Sequence, residues 1–441
     1  MVKKRQSVGK YTLLKRLGKG GMGTVYKALS PQIDKIVALK LLQPSEVLEI
    51  TLGYDQLKDI FLSEARTLAS LNHQNLTTVW DFDTDGQGRS FFVMEYYCNN
   101  LGTMIGESFQ LEEPSRQIRP EKVIHYGKQI LDALQYLHHN RVIHRDIKPH
   151  NILVTDDDHV KVCDFGMALV DGLSFSGPAN MQIGSPCYSP PEQKKSPHQV
   201  DGRADCYSTA VLLYRMLTGT LPGMQSFPLS MINHAYSKNW DDFFQKGLSW
   251  DPAHRFQSAA QMKHALGQLH FSSPGKKDAG ENLSPAPLSA LRSAPENQCG
   301  ARAIKTFNLT NLYRPNTYII NDFDINTDVV VDRATGRTWQ KAGSSYPLDW
   351  QDAQSYISFL NKTQFGSLSS WRLPTINELL SLLDESTDPT DRFFDSDRKW
   401  LWSCDLHGKT ERWFINLDMG FVAKQDMDCP NFVKAVSSEI S

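Results

Sequence analysis

Apolar and polar positions alternate near the start of the chain, and this pattern predicts two β-strands. Residues 11–28 read YTLLKRLGKGGMGTVYKA, with Gly18, Gly20 and Gly23 between the alternating segments. Such a pattern indicates two strands joined by a glycine-rich turn, whose backbone N–H groups can approach phosphate oxygens. A dinucleotide-binding turn would need a helix directly after the glycines. The β-favouring residues 24–27 favour a second strand instead.

The next apolar segments predict further strands and two amphipathic helices. Residues 37–40 and 91–97 read as strands, residues 57–71 and 121–140 have helical spacing, and residues 152–154 with 160–162 read as a hairpin. Lys40 ends its strand and is costly to bury unless it is paired. Glu64, on the first helix, is the natural partner for it. The alternative for Glu64 is an ordinary solvated helix glutamate.

Between the second helix and the hairpin lies a polar octet, HRDIKPHN, at residues 144–151, and DFG follows at 164–166. A carboxylate, an ammonium two residues later and a carboxamide five residues later can converge on one phosphoryl-transfer site. Asp146 would accept a proton from a hydroxyl, Lys148 would neutralise the moving phosphate, and Asn151 would hold a metal ion with Asp164. The alternative is a surface turn with chance charges.

Taken together, these motifs identify a resemblance. Residues 11 to about 270 resemble a bacterial eukaryotic-type (Hanks-type) serine/threonine protein kinase, through GKGGMGTVY, VALK, a helix glutamate, HRDIKPHN, DFG, GSPCYSPPE, DGRADCYS and DPAHRF. The resemblance implies an α+β bilobal protein kinase fold, with a small β-rich N-lobe and a larger α-helical C-lobe. It implies ATP as phosphate donor and Mg²⁺ as metal, with Mn²⁺ as an alternative.

The resemblance also assigns roles to single residues. Asp146, Lys148 and Asn151 would be catalytic, Asn151 and Asp164 would bind the metal, and Lys148 points to Ser/Thr acceptors. Met94 would be the gatekeeper before a hinge at residues 95–97. The residues that would contact ATP or fix its contacts are Leu17, Gly18, Lys19, Gly20, Gly21, Met22, Gly23, Thr24, Val25, Ala38, Lys40, Glu64, Met94, Glu95, Tyr97 and Leu153.

The segment between Asp164 and Glu192 departs mildly from the family pattern. Ser185 stands where the family has threonine, and we expect its hydroxyl to bond Asp146 and Lys148. The resemblance further implies an ion pair between Glu192 and Arg255, and bonds from Asp205 to the catalytic-loop backbone. Arg145 implies a loop gated by a phosphate. The candidate acceptors are Ser174, Ser176 and Ser185, and an always-active loop without a phosphosite is the alternative.

Residues 271–300 are rich in Ser, Pro, Ala and Gly and predict a flexible linker. A separate small α+β domain is expected at 301–441. Residues 328–339 read as two strands around a turn, Asp349 as the N-cap of a helix, and Thr375 with Glu378 as a capping box. WRLPT at 371–375 and WS at 402–403 resemble the Lcl C-terminal family, related to C-type-lectin-like folds. This resemblance implies binding of a ligand or protein partner.

Tryptophan is concentrated in this second domain, at positions 339, 350, 371, 400, 402 and 413. For each of these residues a place in a small core is the favoured interpretation, and stacking of an exposed ring on a sugar is the alternative. The domain shows no His, Cys, Asp or Glu group with metal-ligand spacing.

Composition limits the remaining classes of function. The 441 residues carry a net charge of −2, which offers no basic field for nucleic acid or an anionic membrane. Seven scattered cysteines favour free thiols in a reducing compartment. Without a signal-peptide core or a run of eighteen apolar residues, we expect a cytoplasmic protein with no membrane span.

The first hypothesis is therefore a serine/threonine protein kinase in bacterial signalling, which phosphorylates other proteins and itself. Formation of a dimer is one way in which it would phosphorylate itself. Its second domain would sense a ligand or recruit a partner. The alternative is a catalytically silent nucleotide-binding scaffold whose C-terminal module is the functional unit. A third hypothesis makes the kinase the effector of that module.

Overall fold

The computed structural model describes residues 6–107, 113–166, 168–170, 185–196, 199–223, 227–271, 291–383 and 398–439. The chain folds into two compact units, Met1–Pro274 and Gly275–Ser441. Each unit has its own sheets and its own helices, which agrees with the predicted α+β class. The predicted domain limits at residues 270 and 301 stay predictions.

The first unit begins with an antiparallel sheet in the strand order β1-β2-β3-β4-β6-β5. The strands of this sheet are β1 (Ser7–Val8), β2 (Tyr11–Lys19), β3 (Gly23–Ser30), β4 (Lys35–Leu42), β5 (Val79–Thr84) and β6 (Ser90–Glu95). Val8, Ala28, Leu39, Phe91 and Val93 belong to its buried core. The two predicted strands around the glycine-rich turn are β2 and β3, and Lys40 lies in β4, as predicted.

The rest of the first unit is mainly helical. Its helices are α1 (Glu46–Leu52), α2 (Tyr54–Ser70), α3 (Leu101–Ile105), α4 (Pro120–His139), α5 (Pro191–Lys195), α6 (Arg203–Thr218), α7 (Leu229–Ile232), α8 (Lys238–Gly247) and α9 (Ala259–Gly267). Short strands lie between them: β7 (Asn99–Asn100), β8 (Val142–Ile143), β9 (Ile152–Val154), β10 (Val160–Val162) and β11 (Leu169–Val170). Most of α6 is buried, and α4 packs against both α6 and α9. The predicted hairpin is β9 and β10.

The second unit contains two antiparallel sheets and three α-helices in the part that the structure describes. One sheet has the order β12-β13-β14-β18 and the other β15-β16-β17. The strands are β12 (Phe323–Ile325), β13 (Val329–Asp332), β14 (Arg337–Gln340), β15 (Trp400–His407), β16 (Glu411–Asn416), β17 (Phe421–Asp426) and β18 (Val436–Ser437). The helices are α10 (Ala301–Phe307), α11 (Trp350–Lys362) and α12 (Ile376–Leu380).

The local predictions for the second unit are confirmed. Asp349 caps α11 by accepting from the backbone N–H of Asp352, and Thr375 with Glu378 forms a capping box at α12. Five of its six tryptophans, at positions 339, 371, 400, 402 and 413, are buried, as the core interpretation requires. Trp350 remains partly exposed.

Part of the segment that composition assigns to the linker belongs to the second unit and is bonded to a buried residue of that unit. Arg292 donates twice to the buried Asp405, through Nη1 and Nη2, both at 2.7 Å. The backbone N–H of Glu296 donates to the same carboxylate at 2.7 Å. Composition does not reveal this attachment because it depends on one arginine, not on a recurring apolar pattern.

Two expectations from composition can be compared with the structure. Searched over the described residues, no helix combines the length and apolarity needed to cross a membrane. Five of the seven cysteines, at positions 163, 187, 206, 299 and 404, are free thiols.

Candidate functional site

An ion-pair cluster joins the first sheet, α2 and the DFG segment. Lys40 Nζ lies 2.6 Å from Glu64 Oε1 and 3.0 Å from Asp164 Oδ1. Lys40 and Glu64 are both buried, whereas the side chain of Asp164 is about half exposed, at 47%. The predicted Lys40–Glu64 pair is therefore formed, and it fixes the lysine ammonium beside a carboxylate that faces solvent.

Charge and burial set the ionisation of this cluster. The Lys40 ammonium lowers the pKa of Asp164 to about 2, so that Asp164 is ionised near neutral pH. Burial acts against the charge of Lys40, but the carboxylates of Asp164 and Glu64 outweigh it and raise its pKa. For Glu64 burial prevails over the attraction of Lys40, and its pKa is raised. The cluster thus presents one firmly held cation and one exposed anion.

Gly166 lies close to this cluster, and a larger residue there would be in tight contact with it. A Cβ at Gly166 would come within 3.2 Å of Lys40 Nζ and 3.4 Å of Asp164 Oδ1. A methyl group at this position would crowd the charged atoms and partly desolvate them. The glycine of the DFG motif therefore leaves room for the ion pairs.

The catalytic-loop candidates converge on the carboxylate of Asp146. Lys148 Nζ donates to Oδ2 at 2.7 Å, Asn151 Nδ2 donates to the same oxygen at 3.0 Å, and Ser185 Oγ donates to Oδ1 at 2.9 Å. Asn151 also donates to the backbone carbonyl of Asp146 at 2.8 Å. The predicted bond from Ser185 to Asp146 is confirmed. The carboxylate is 7% exposed and its orientation is fixed from both sides.

The backbone of this loop is held in an uncommon conformation. Arg145 has φ of +61°, in the left-handed region that residues other than glycine seldom adopt. The fully buried Asp205 accepts from the backbone N–H of His144 at 2.9 Å and of Arg145 at 2.8 Å, as predicted. Gln193 Nε2 donates to the Arg145 carbonyl at 2.7 Å. The sequence motif did not point to Gln193, because no charge or spacing distinguishes it.

Other contacts surround the loop. The rings of His144 and Phe165 lie 4.9 Å apart between centroids, and Phe165 is buried. Arg255 donates to both carboxylate oxygens of Glu192, at 2.5 and 2.8 Å, which confirms that ion pair. Ser174 and Ser176 lie outside the described residues, so these two candidate phosphosites stay predictions.

The glycine-rich turn is anchored by the segment that follows β4. The backbone N–H of Ser45 donates to the Gly21 carbonyl at 2.9 Å, and that of Gln43 donates to the Met22 carbonyl at 3.1 Å. A Cβ at Gly23 would lie 2.5 Å from the Leu41 carbonyl oxygen, so only glycine fits there. A Cβ at Gly18 would meet nothing within 4 Å. The sequence pattern gave no sign of the anchoring at residues 43–45.

Residues that are predicted to contact ATP lie in two different sheets. Ala38 pairs with Met94 across β4 and β6, and Val25 pairs with Lys40 across β3 and β4. Leu153 lies in β9, directly after the catalytic loop. After β6, Tyr97 Oη donates to Glu95 Oε2 at 2.7 Å, which fixes these two side chains of the predicted hinge.

Comparison with known proteins decides the family. Residues 11–266, more than half of the chain, match the family described as protein kinase domain. The chain belongs to the protein kinase domain family. The predicted bilobal kinase fold for the first unit is thereby confirmed. Residues 328–437 match the Lcl C-terminal domain, which confirms the second resemblance.

Bacterial kinases are among the relatives of this kinase domain. A probable serine/threonine-protein kinase of Clostridium acetobutylicum is 35% identical over 223 residues, which are 50% of this chain and 32% of that protein. Serine/threonine-protein kinase pkn3 of Myxococcus xanthus is 36% identical over 222 residues, 48% and 38% of the two chains. PrkC of Bacillus subtilis is 29% identical over 274 residues, 58% and 40%. The chain spans about a third to two-fifths of these relatives.

In the Lcl C-terminal domain, the WRLPT motif supports the fold. Arg372 donates to both oxygens of the buried Glu378, at 2.6 and 2.8 Å, and Arg337 Nε donates to the same carboxylate at 2.7 Å. The backbone N–H of Thr375 donates to Glu378 at 2.9 Å. The motif therefore orients the start of α12 through a buried, fully paired carboxylate.

Proposed function

We propose that this chain is a serine/threonine protein kinase, which transfers the γ-phosphate of ATP to serine or threonine hydroxyls of proteins, itself included. The observation that carries the proposal is the carboxylate of Asp146, which is oriented by Lys148, Asn151 and Ser185. The formed Lys40–Glu64 pair supports it. The names of the bacterial relatives support the same activity and the same acceptor class.

Each side chain then has a defined task. Asp146 would accept the proton of the acceptor hydroxyl, and Lys148, 2.7 Å from it, would stabilise the charge on the phosphoryl group in transfer. Lys40, held by Glu64, would bind the α- and β-phosphates of ATP. At the glycine-rich turn, a Cβ built on Gly18 would meet nothing within 4 Å among the described residues, which leaves space for the phosphates.

The oxygen donors at Asn151 and Asp164 fit a magnesium or manganese ion. Asn151 uses Nδ2 to bond Asp146, so its Oδ1 is available as a ligand, and Asp164 is ionised and half exposed. Among the described residues no group of three His, Cys, Asp or Glu could hold a metal. Two oxygen donors from the chain suffice for Mg²⁺, which completes its coordination with water and phosphate oxygens. When bound, the ion would neutralise phosphate charge.

For the second unit we propose that it senses a ligand or recruits a protein partner. The support is its match to the Lcl C-terminal domain together with the separate core that includes Trp339, Ile376 and Trp413. A kinase that depends on this unit should change its activity or its targets when residues 275–441 are deleted. Unchanged activity and unchanged targets would argue against any coupling between the units.

Transfer of labelled phosphate from ATP tests the kinase activity directly. Purified full-length protein is incubated with γ-labelled ATP and Mg²⁺, with and without a generic basic protein as acceptor. Asp146→Asn keeps the size of the side chain but removes the proton acceptor, so labelling should fall by at least about 100-fold. Asp157→Asn, at a side chain that is 73% exposed, is the matched control and should label normally.

The result separates the kinase from the silent scaffold. Phosphoserine or phosphothreonine that is present in wild type and lost in Asp146→Asn supports the kinase. If neither protein transfers label to any acceptor while both bind ATP, the scaffold is the better description. Mass spectrometry of the wild type beside Asp146→Asn would also locate the phosphorylated residues.

A further inference from the structure

The second unit carries an arginine whose hydrogen bonding is incomplete. Arg412 lies on β16, and its Nη1 donates to the backbone carbonyl of Glu411 at 2.9 Å. Its guanidinium lies over the ring of Trp350, 4.8 Å from the ring centroid. Its Nε is buried and has no acceptor among the residues that the structure describes. Burial lowers the pKa of Arg412, and in the described part of the unit no acid counters that effect.

Close to this arginine, a buried acceptor lacks a donor. Gln425 on β17 is the cross-strand neighbour of Arg412, and Asn431 Nδ2 donates to Gln425 Oε1 at 2.6 Å. Asn431 is 1% exposed, and its Oδ1 has no hydrogen-bond partner in the described part of the chain. An unpaired donor and an unpaired acceptor are therefore withdrawn from solvent in one region of the sheet. Buried polar atoms in native proteins are nearly always paired, so both call for a physical explanation.

The surrounding aromatic and backbone groups are firmly positioned. Trp350 and Trp402 pack edge to face with centroids 5.6 Å apart, and Trp402 Nε1 donates to the Leu348 carbonyl at 2.8 Å. Leu348 and Asn431 exchange two backbone hydrogen bonds, at 2.8 and 2.9 Å. These contacts hold the ring of Trp350 and the backbone at residues 348 and 431 in place.

Other arginines of the same unit show what a purely structural role looks like. Arg292 is paired with Asp405, and both Arg337 and Arg372 are paired with Glu378. In each case a buried carboxylate satisfies the guanidinium. Arg412 also lies in a sheet, but its guanidinium contacts the ring of Trp350 and one backbone carbonyl where the other arginines contact a carboxylate. The carboxylate of a bound ligand would complete the hydrogen bonding of the Arg412 guanidinium in the same way.

We propose that the second unit binds a ligand with a carboxylate and an adjacent N–H group, held by Arg412 and Asn431 against Trp350. The planar guanidinium matches the geometry of a carboxylate, and Asn431 Oδ1 needs a donor. A free amino acid and the C-terminus of a peptide share this chemistry. The inference deepens the ligand-sensing part of the proposed function and rests on that part alone, since it does not require kinase activity.

Calorimetric titration of the full-length protein tests the site. The probes are L-alanine, trialanine with a free carboxylate, and trialanine amide, whose small side chains make few demands on the pocket. We expect saturable binding of at least one carboxylate probe. The amide should bind at least about tenfold more weakly, because it lacks the charge that pairs with arginine. Whichever carboxylate probe binds more tightly identifies the source, and either result supports the site.

Variants then connect binding to the named residue. Arg412→Gln should weaken binding of the better probe at least about tenfold. Arg333→Gln is the matched control, since Arg333 is 61% exposed and pairs with Asp324 at the surface, and it should bind like wild type. If Arg412→Gln does not fold, the comparison of trialanine with its amide on the wild type decides alone.

The proposal is overturned if neither carboxylate probe shows saturable binding up to about 10 mM, which is ten times a weak millimolar Kd. It is also overturned if trialanine and its amide bind with equal affinity. The third such result is equal affinity of the wild type and a folded Arg412→Gln variant. Phosphate transfer is measured in parallel. Binding of a carboxylate probe without phosphate transfer would refute the kinase activity but not the ligand site. Phosphate transfer without probe binding would refute the ligand site but not the kinase activity.

Discussion

Replacing Arg292 with alanine should destabilise the second unit, although this residue lies in a stretch with the composition of a linker. Asp405 is fully buried and accepts four hydrogen bonds, two from Arg292 and one each from the backbone N–H groups of Glu296 and Ile376. Arg292→Ala removes the charge and half of these bonds. The carboxylate would then remain buried without a counter-ion.

The expected loss follows from the burial of this pair. Removing one partner of a buried ion pair costs about 3–5 kcal/mol. The side chain of Arg292 is 20% exposed, and two backbone donors still hold Asp405 after the change. We therefore expect the lower end of that range, about 3 kcal/mol, which for a unit of this size lowers Tm by about 6–12 °C.

Differential scanning calorimetry of the full-length protein measures this effect on the transition of the second unit. Arg302→Ala is the matched control, because Arg302 is exposed on α10 and its loss should change stability by about 0.5 kcal/mol or less. If Arg292→Ala unfolds at the same temperature as Arg302→Ala, residues 291–298 are not an integral part of this unit, and the reasoning from Asp405 is refuted.

Three further changes follow from the contacts described above. Glu64→Gln should lower kcat/KM for ATP about 10–100-fold in steady-state assays, because a neutral partner holds Lys40 less firmly. An unchanged kcat/KM would contradict the role of this ion pair. Ser185→Ala removes one hydrogen bond to Asp146 and should lower kcat about 3–10-fold. Ser185→Asp places a second carboxylate against Asp146 and should lower kcat at least about 100-fold. Equal decreases in kcat for the two variants would count against this geometry. Burial alone would raise the pKa of Glu378, but hydrogen bonds and charge from two arginines lower it below 4.5. The ionised carboxylate therefore stabilises the second unit above pH 4.5, and this stabilisation is lost when acid protonates it. A Glu378→Gln variant whose unfolding has the same acid sensitivity as wild type would refute this prediction.

Sequence reasoning succeeded where chemistry depends on spacing along one segment. In HRDIKPHN, three functional groups lie within six residues, so the loop alone brings Lys148 and Asn151 to Asp146. Capping boxes and N-caps are equally local, which is why Asp349 and Thr375 were identified correctly. The Lys40–Glu64 pair is longer in range, and there the family pattern supplied the pairing that spacing could not.

Contacts between distant polar residues escaped prediction for a physical reason. Gln193 supports the Arg145 carbonyl across 48 residues, and Arg292 reaches Asp405 across 113 residues. Neither residue interrupts an apolar period or changes the local composition, so no pattern indicates that it is buried or paired. Such contacts follow from the tertiary arrangement, which brings a lone polar side chain to a buried partner.

The motifs HRDIKPHN and WRLPT differ in the use that their polar groups have. In the kinase domain, Lys148 and Asn151 of the octet orient the carboxylate of Asp146, and the side chain of Asp164 in the following DFG segment is half exposed. In the second unit, Arg372 and Thr375 of WRLPT are paired with the buried carboxylate of Glu378. A specific sequence motif can therefore be structural, and incomplete pairing is the better guide to a binding site. By that criterion Arg412, which belongs to no motif, is a stronger candidate for ligand recognition than any residue of WRLPT.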